Sequence, residues 1–422
     1  MYIRELIFEA QASRSRRSVA SHACTSPVQP WRSSGVPCSR CRAPQRPQAP
    51  GRQARWDTDT GSPGAGTLDE ALSGQRRPGE GTADRALQGG TAVHTGSLQE
   101  PLAQSFRPFP LLTNPHLQTL VAATVYLPLE PPSATRFVRL PDADLIALEI
   151  STPQGWTPRE PTVVLLHGVC GCHHSPYMQR LARKLWRRGV RAIRMNMRGC
   201  GSGHGLARQP YHGGRSADVL AVLQELYQDC PPSPTTVIGF SLGGNMVLKL
   251  AGELRECLRQ YLECVIAVCP PADLVASARL LAQPANRLYN RYFTKLLIAE
   301  AVSRHACFAD MPPVTLPDGL TLYDFDTLYT APQCGFRDAL DYYQQCSAAP
   351  LVPQITLSCF ILFAADDLVV DGTVFDHVSL PPHVQVVRTT YGGHMGFLGM
   401  PGRGGGYRMM DAQLLAWLGL SP

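Results

Sequence analysis

Gly239-Phe240-Ser241-Leu242-Gly243 constrains this chain more than any other stretch. It follows the short apolar run Thr236-Val237-Ile238 and opens the helical pattern Asn245-Met246-Val247-Leu248-Lys249-Leu250. A G-x-S-x-G between a strand and a helix drives the backbone through a tight turn and lifts the serine hydroxyl above the sheet. Glycines two residues before and after leave room for the backbones that cross there. The helix start offers N–H groups to developing negative charge. Ser241 is therefore the candidate nucleophile.

A serine hydroxyl is a weak nucleophile until a base takes its proton. Downstream, the apolar run Cys359-Phe360-Ile361-Leu362-Phe363 reads as a buried strand ending in Ala364-Ala365-Asp366-Asp367. A second short strand, Val384-Gln385-Val386-Val387-Arg388, leads into Tyr391-Gly392-Gly393-His394-Met395-Gly396-Phe397. An acid at one strand end and a histidine in the loop after the next strand complete the order Ser, acid, His. Open parallel sheets carry their chemistry at those carboxyl ends. His394 is the candidate base toward Ser241 and later the acid toward the leaving group. The acid orients the imidazole. The strand-end spacing favours Asp367 over Asp366, with Asp371 read as a solvated turn residue.

An oxyanion needs two convergent backbone N–H donors. Leu242, next after the nucleophile, supplies one. The loop after Thr162-Val163-Val164-Leu165-Leu166, which continues His167-Gly168, supplies the other, and its donor is read as Val169.

Further motifs narrow the reading. Thr113-Asn114-Pro115-His116-Leu117-Gln118-Thr119, Asn196-Met197-Arg198-Gly199-Cys200-Gly201-Ser202-Gly203 with Tyr211-His212-Gly213-Gly214, Phe325-Asp326, Gly335-Phe336, Asp341-Tyr342-Tyr343 and Gly392-Gly393-His394-Met395-Gly396-Phe397 stand together in this chain. In this combination, over residues 106–422, it resembles the YheT-type branch of the α/β-hydrolases, which takes in medium-chain ester synthase/esterases and abhydrolase-domain proteins. It departs from the pattern in Gly168-Val169-Cys170-Gly171-Cys172-His173-His174, where the family commonly has Gly-Ser after Gly-Leu, and in Leu368, where Pro is usual. The resemblance implies an α/β-hydrolase fold: a mostly parallel sheet with helices on both faces and a helical cap insertion. It also implies ester hydrolysis, with acyl transfer in some members.

Residues 1–105 differ in kind. They are rich in Pro, Gly, Ser and Arg, lack lysine and show no sustained apolar periodicity. Such a composition buries too little surface to offset ordering entropy, so the segment is expected to be disordered. An over-extended translation start is the alternative reading of its arginine bias. The net charge of +6 is modest and the arginines are interspersed with acids such as Asp57, Asp59, Asp69 and Glu70, so no nucleic-acid partner is expected. No signal peptide stands out after Met1, and a cytoplasmic location with reduced thiols is expected for the 14 cysteines. Cys264 and Cys269 flank an apolar strand as small core residues. Cys38-Ser39-Arg40-Cys41 is half a zinc motif without its second pair. Cys170, Cys172, His173 and His174 are assigned to lining the oxyanion loop, so no metal is expected. No cofactor is expected either, since neither a phosphate-cradling loop nor a dinucleotide fingerprint is present. No apolar run reaches the ~20 residues of a membrane span, which leaves peripheral membrane contact through the cap.

Roughly ninety residues separate the strand Cys264–Val268 from the acid strand, whereas a βαβ crossover needs about a dozen. The excess, about 274–350, is read as a cap, with helical spacing from Leu274 to Ala306. Arg198 is expected to hold neighbouring carbonyls, and His212 and Asp218 to be structural. The expected function is a serine hydrolase that cleaves carboxylic esters of small-molecule class, either short- or medium-chain acyl esters or acylglycerols. Two alternatives stand beside it: an acyltransferase using an alcohol acceptor, and a non-catalytic binding protein on the same fold. Oligomeric state is left open.

Overall fold

The computed structural model describes residues 106–124, 130–401 and 406–420. The expectations for residues 1–105, including the Cys38–Cys41 half motif, lie outside the described residues.

Helix α1 (Pro115–Thr124) precedes an antiparallel hairpin, β1 (Ala134–Arg139) and β2 (Leu145–Ser151). Alternation begins β3 (Thr162–Leu166), α2 (Pro176–Trp186), β4 (Arg191–Met195), α3 (Ser216–Asp229), β5 (Thr235–Phe240), α4 (Leu242–Leu254), β6 (Cys264–Val268). The cap follows with α5 (Leu274–Ala282), α6 (Arg287–Ala306) and α7 (Ala339–Cys346). Then come β7 (Ser358–Ala364), β8 (Val384–Thr389) and α8 (Met409–Trp417).

These strands form one eight-stranded sheet in the order β1-β2-β4-β3-β5-β6-β7-β8. Only β2 breaks the parallel run, pairing antiparallel with both β1 and β4. Every residue of β3 and β4 is buried, and β5 and β6 nearly so. This is why they read as continuous apolar runs rather than alternating ones. After β3 the chain moves outward to β4, then returns past β3 to form β5. The reversal puts the ends of β3 and β5 side by side, in register Leu166↔Gly239. Such a switch point opens a crevice at the carboxyl ends of the strands.

The expected helical stretch from Leu274 to Ala306 is two helices. Pro284 breaks it: the residue before a proline is pushed out of the helical region, and Gln283 adopts φ −60°, ψ 144°. Asp273 caps α5 by accepting the Ala276 N–H at 2.9 Å. Between α6 and α7, residues Asp326–Thr330 form a wider π-type turn. The cap is tied to the body through Asn245 of α4, which is fully buried. Its amide donates to the Gly213 and Cys346 carbonyls at 2.9 and 2.8 Å and accepts the Ala348 N–H at 2.9 Å.

Candidate active site

Ser241 sits between β5 and α4 with φ 50° and ψ −120°, a conformation that non-glycine residues seldom adopt. Its neighbours make the turn possible. A Cβ on Gly239 would collide with the Gly243 carbonyl, and one on Gly243 would run into the carbonyls of Leu166 and His167. The two glycines therefore let α4 press against the end of β3. Of the seven non-glycine residues with positive φ among the described residues, five (Cys170, Ser241, Cys269, Met395 and Phe397) lie in the loops at this crevice. Backbone strain concentrates at functional sites when the surroundings over-determine it.

Ser241 Oγ lies 3.0 Å from His394 Nε2, and His394 Nδ1 lies 2.8 Å from Asp367 Oδ2. Asp367 is buried, and its other oxygen accepts the N–H groups of Val369 and Val370 at 2.8 and 3.0 Å. Asp366 points elsewhere: its Oδ1 accepts the Gly393 N–H at 2.8 Å, and burial pushes its carboxyl up. Asp371 caps a short turn through the Thr373 N–H at 2.9 Å. The histidine loop is also held from α1, where Thr119 Oγ1 accepts the His394 N–H at 2.9 Å. Cys269, at the end of β6, brings its thiol within 4.8 Å of ligand atoms of Asp367 and His394. No sequence signal marked it beyond its place in an apolar strand.

The loop after β3, expected to supply an oxyanion donor, is organised by two tyrosines: Tyr177, which no sequence motif marked, and Tyr211, quoted above only as part of a motif. Tyr177 Oη accepts the Gly168 N–H at 3.0 Å, and Tyr211 Oη accepts the Cys170 N–H at 2.9 Å. Val169, between them, lines the same pocket as Ser241 and Leu242. Leu242 opens α4, where first-turn N–H groups lack intrahelical acceptors. Tyr211 also donates to Glu300 Oε2 of α6 at 3.0 Å, which links the loop to the cap. Burial of the Glu300 carboxyl pushes it up to about 7. His167 is fully buried, and burial pushes it down to about 4, so it is neutral. Its Nε2 accepts the Met197 N–H at 2.9 Å, which leaves the ring proton on Nδ1 to donate to the Gly168 carbonyl at 2.7 Å. It fastens the loop to the end of β4.

The other residues marked in the sequence have different partners. His173 pairs with Asn196 through Nδ1 at 3.0 Å, and His174 pairs with Glu130. With Cys170 and Cys172 they form no grouping at metal-ligand spacing among the described residues. Arg198 departs from expectation: it holds carboxylates rather than carbonyls. Its guanidinium contacts Asp218 at 2.7 Å through Nε and Nη2, and Asp142 and Asp144 at 2.7 and 2.6 Å through Nη1. A buried guanidinium needs such partners, because an unpaired charge there is costly.

Between cap and body lies a pocket of about 720 Å³, its open mouth included. Leu274, Leu281, Phe293 and Leu297 of the cap face Val369 and Val370 across it, with Ser241 in the wall. One side is polar: Asp326 of the π-type turn accepts hydrogen bonds from Thr330 and Tyr343, both at 2.6 Å. Burial pushes the Asp326 carboxyl up to about 6 against the opposing effect of those two hydroxyls.

Residues 161–401 match the family profile described as the alpha/beta hydrolase fold. YheT of Escherichia coli (strain K12), an esterase by name, is 32% identical over 298 residues, covering 70% of this chain and 87% of that protein. The chain thus belongs to the α/β-hydrolase family. Two Saccharomyces cerevisiae proteins are also similar. One is named monoacylglycerol lipase, 27% identical over 56% of this chain and 55% of its own length. The other is named medium-chain fatty acid ethyl ester synthase/esterase 2, 28% identical over 56% of this chain and 58% of its own. The chain therefore spans little more than half of each yeast relative.

Proposed function

We propose that this protein is a carboxylic ester hydrolase that works through an acyl-enzyme on Ser241. The observation that carries this reading is the hydrogen-bonded sequence Ser241 Oγ, His394 Nε2, His394 Nδ1, Asp367 Oδ2, set in the wall of a largely apolar pocket. Membership of the family, and the esterase and lipase names of the relatives, support ester hydrolysis.

Ser241 Oγ attacks the ester carbonyl carbon as its proton passes to His394 Nε2. Asp367 keeps the ring oriented and balances the imidazolium charge. The N–H groups of Leu242 and Val169 receive the negative oxygen. On collapse, the carbon–oxygen bond to the alcohol breaks and His394 returns its proton to the departing oxygen. Water then repeats the sequence on the acyl-enzyme and releases the acid. The acyl chain lies among Leu274, Leu281, Phe293 and Leu297, which suits short- and medium-chain esters or acylglycerols.

An alcohol in place of water would give a new ester, and the name of one yeast relative joins both activities. Adding ethanol to a p-nitrophenyl ester assay and measuring ethyl ester against free acid separates the two outcomes. The mechanism itself is tested by Ser241→Ala and His394→Ala. Both should lose ester hydrolysis by roughly 10⁴-fold or more if the three side chains act as a unit. Ser241→Ala should also lose labelling by a fluorophosphonate probe. Hydrolysis that survives in either variant removes the mechanism.

A further inference from the structure

Helix α1 carries its side chains the wrong way round for a helix that merely packs on a domain. Surface helices bury an apolar stripe and expose polar residues. Here the fully buried residue is Gln118, whose amide donates to the Leu112 and Leu398 carbonyls at 2.8 and 2.7 Å and accepts the Leu398 N–H at 2.9 Å. The leucines face outward: Leu117 is 45% and Leu120 39% exposed, and Leu111 just before the helix is 86% exposed. Residues 108–124 contain no Asp, Glu, Lys or Arg.

This helix lies beside the catalytic loop and the cap. Thr119 accepts the His394 N–H, and His116 stacks on Tyr289 of α6 with ring centroids 5.7 Å apart. On α6, Leu288, Arg291, Lys295 and Val302 are exposed and fall at helical spacing on one stripe. That stripe has no acid. The helix's single carboxylate, Glu300, is turned inward to Tyr211. Exposed Tyr391, Met400 and Tyr407 extend the apolar surface from the histidine loop, with Tyr407 stacked on Phe109 next to α1.

We infer that α1 and the outward stripe of α6 form a docking face for an anionic phospholipid surface. The leucines enter the interface, and Arg291 and Lys295 meet the headgroups. Apolar insertion combined with basic residues is the pairing that holds peripheral helices on acidic membranes. The charge-free helix explains the apolar half, and the acid-free basic stripe selects an anionic surface over a neutral one or a protein groove.

The full chain is tested by sedimentation with phosphatidylcholine vesicles, with and without phosphatidylglycerol. The wild type should bind the anionic vesicles and bind the neutral ones more weakly. Leu117→Ser with Leu120→Ser, and separately Arg291→Glu with Lys295→Glu, should each weaken binding by roughly tenfold or more. All variants keep residues 1–105, so binding through that arginine-rich segment would leave them equal to wild type and overturn the inference. It is also overturned if the wild type binds no vesicles, or binds neutral ones as tightly. Hydrolysis of the soluble ester p-nitrophenyl butyrate should be unchanged in both double variants, which verifies folding. The binding readout needs no catalysis, so it fails independently of the proposed mechanism.

Discussion

Replacing Tyr211 by Phe tests whether the oxyanion loop is held in place from the cap. The hydroxyl accepts the Cys170 N–H at 2.9 Å and donates to Glu300 at 3.0 Å. Its removal leaves a buried N–H without its acceptor, a loss of about 1–3 kcal/mol. Cys170 stands at φ 55°, a strained conformation worth about 1–3 kcal/mol that persists only while its surroundings enforce it. The two quantities are comparable, so without the hydroxyl the loop is free to relax and carry the Val169 N–H, the proposed donor, away from the developing oxyanion. Loss of one oxyanion donor costs about 10²–10³ in kcat. Tyr177 still holds the Gly168 N–H at 3.0 Å, so part of the loop stays in place and the expected loss is about 10–100-fold. Steady-state kinetics on p-nitrophenyl butyrate should show the loss in kcat with KM little changed, since the donor matters most once charge develops. Thermal unfolding measured alongside separates this from global destabilisation. A Tyr211→Phe enzyme with kcat near wild type, whatever its melting temperature, would refute the reasoning.

Three further outcomes are expected. Asp367→Asn should lower kcat by roughly 10⁴-fold, because the amide favours the wrong imidazole tautomer, whereas Asp366→Asn should cost far less; parallel kinetics decide which carboxylate serves the histidine. Gly243→Ala should destabilise the fold by about 3 kcal/mol or more, since its methyl would strike the Leu166 and His167 carbonyls rather than a yielding side chain; urea denaturation reads this. Asp411 is fully buried, contacting Arg180 at 2.7 and 3.0 Å and Lys184 at 2.8 Å. Burial alone would raise its carboxyl, but the two cations outweigh it and the net displacement is downward. A depressed folded-state value stabilises above the unfolded value of about 4 and the effect is lost as pH falls below it. Asp411→Asn should therefore cost about 2–3 kcal/mol at neutral pH, less than for a fully enclosed pair because both cations reach water. The gap to wild type should begin to narrow in urea titrations below about pH 4 and close only as pH falls through the much lower folded-state value.

The sequence was most readable where a short local pattern and a single residue type coincide. Ser241 and His394 lie in loops whose glycines are required by the backbone turns around them, and the apolar runs of β3, β5, β6 and β7 announce a buried parallel sheet. Choosing between Asp366 and Asp367 was harder, because adjacent residues at a strand end point in opposite directions and one residue of register decides which meets the histidine. The pairing of Arg198 with Asp142, Asp144 and Asp218 was missed because its partners come from distant parts of the chain that only the sheet brings together. The break at Pro284 was legible in principle, since a proline bars the residue before it from the helix. The apolar periodicity on either side masked it.

Tyr177 and Tyr211 were out of reach for a different reason. Their partners are backbone N–H groups, and a backbone group has no residue type for a sequence pattern to display. The same holds for Gln118, which binds three backbone groups and so leaves the leucines of α1 facing outward. In each case a polar side chain satisfies main-chain groups that no secondary-structure ladder would satisfy. The parts of the site that determine loop geometry and surface character are thus the parts encoded by side chain to backbone contacts. The proposed reacting groups are instead carried by residue type and chain order, which a sequence displays directly.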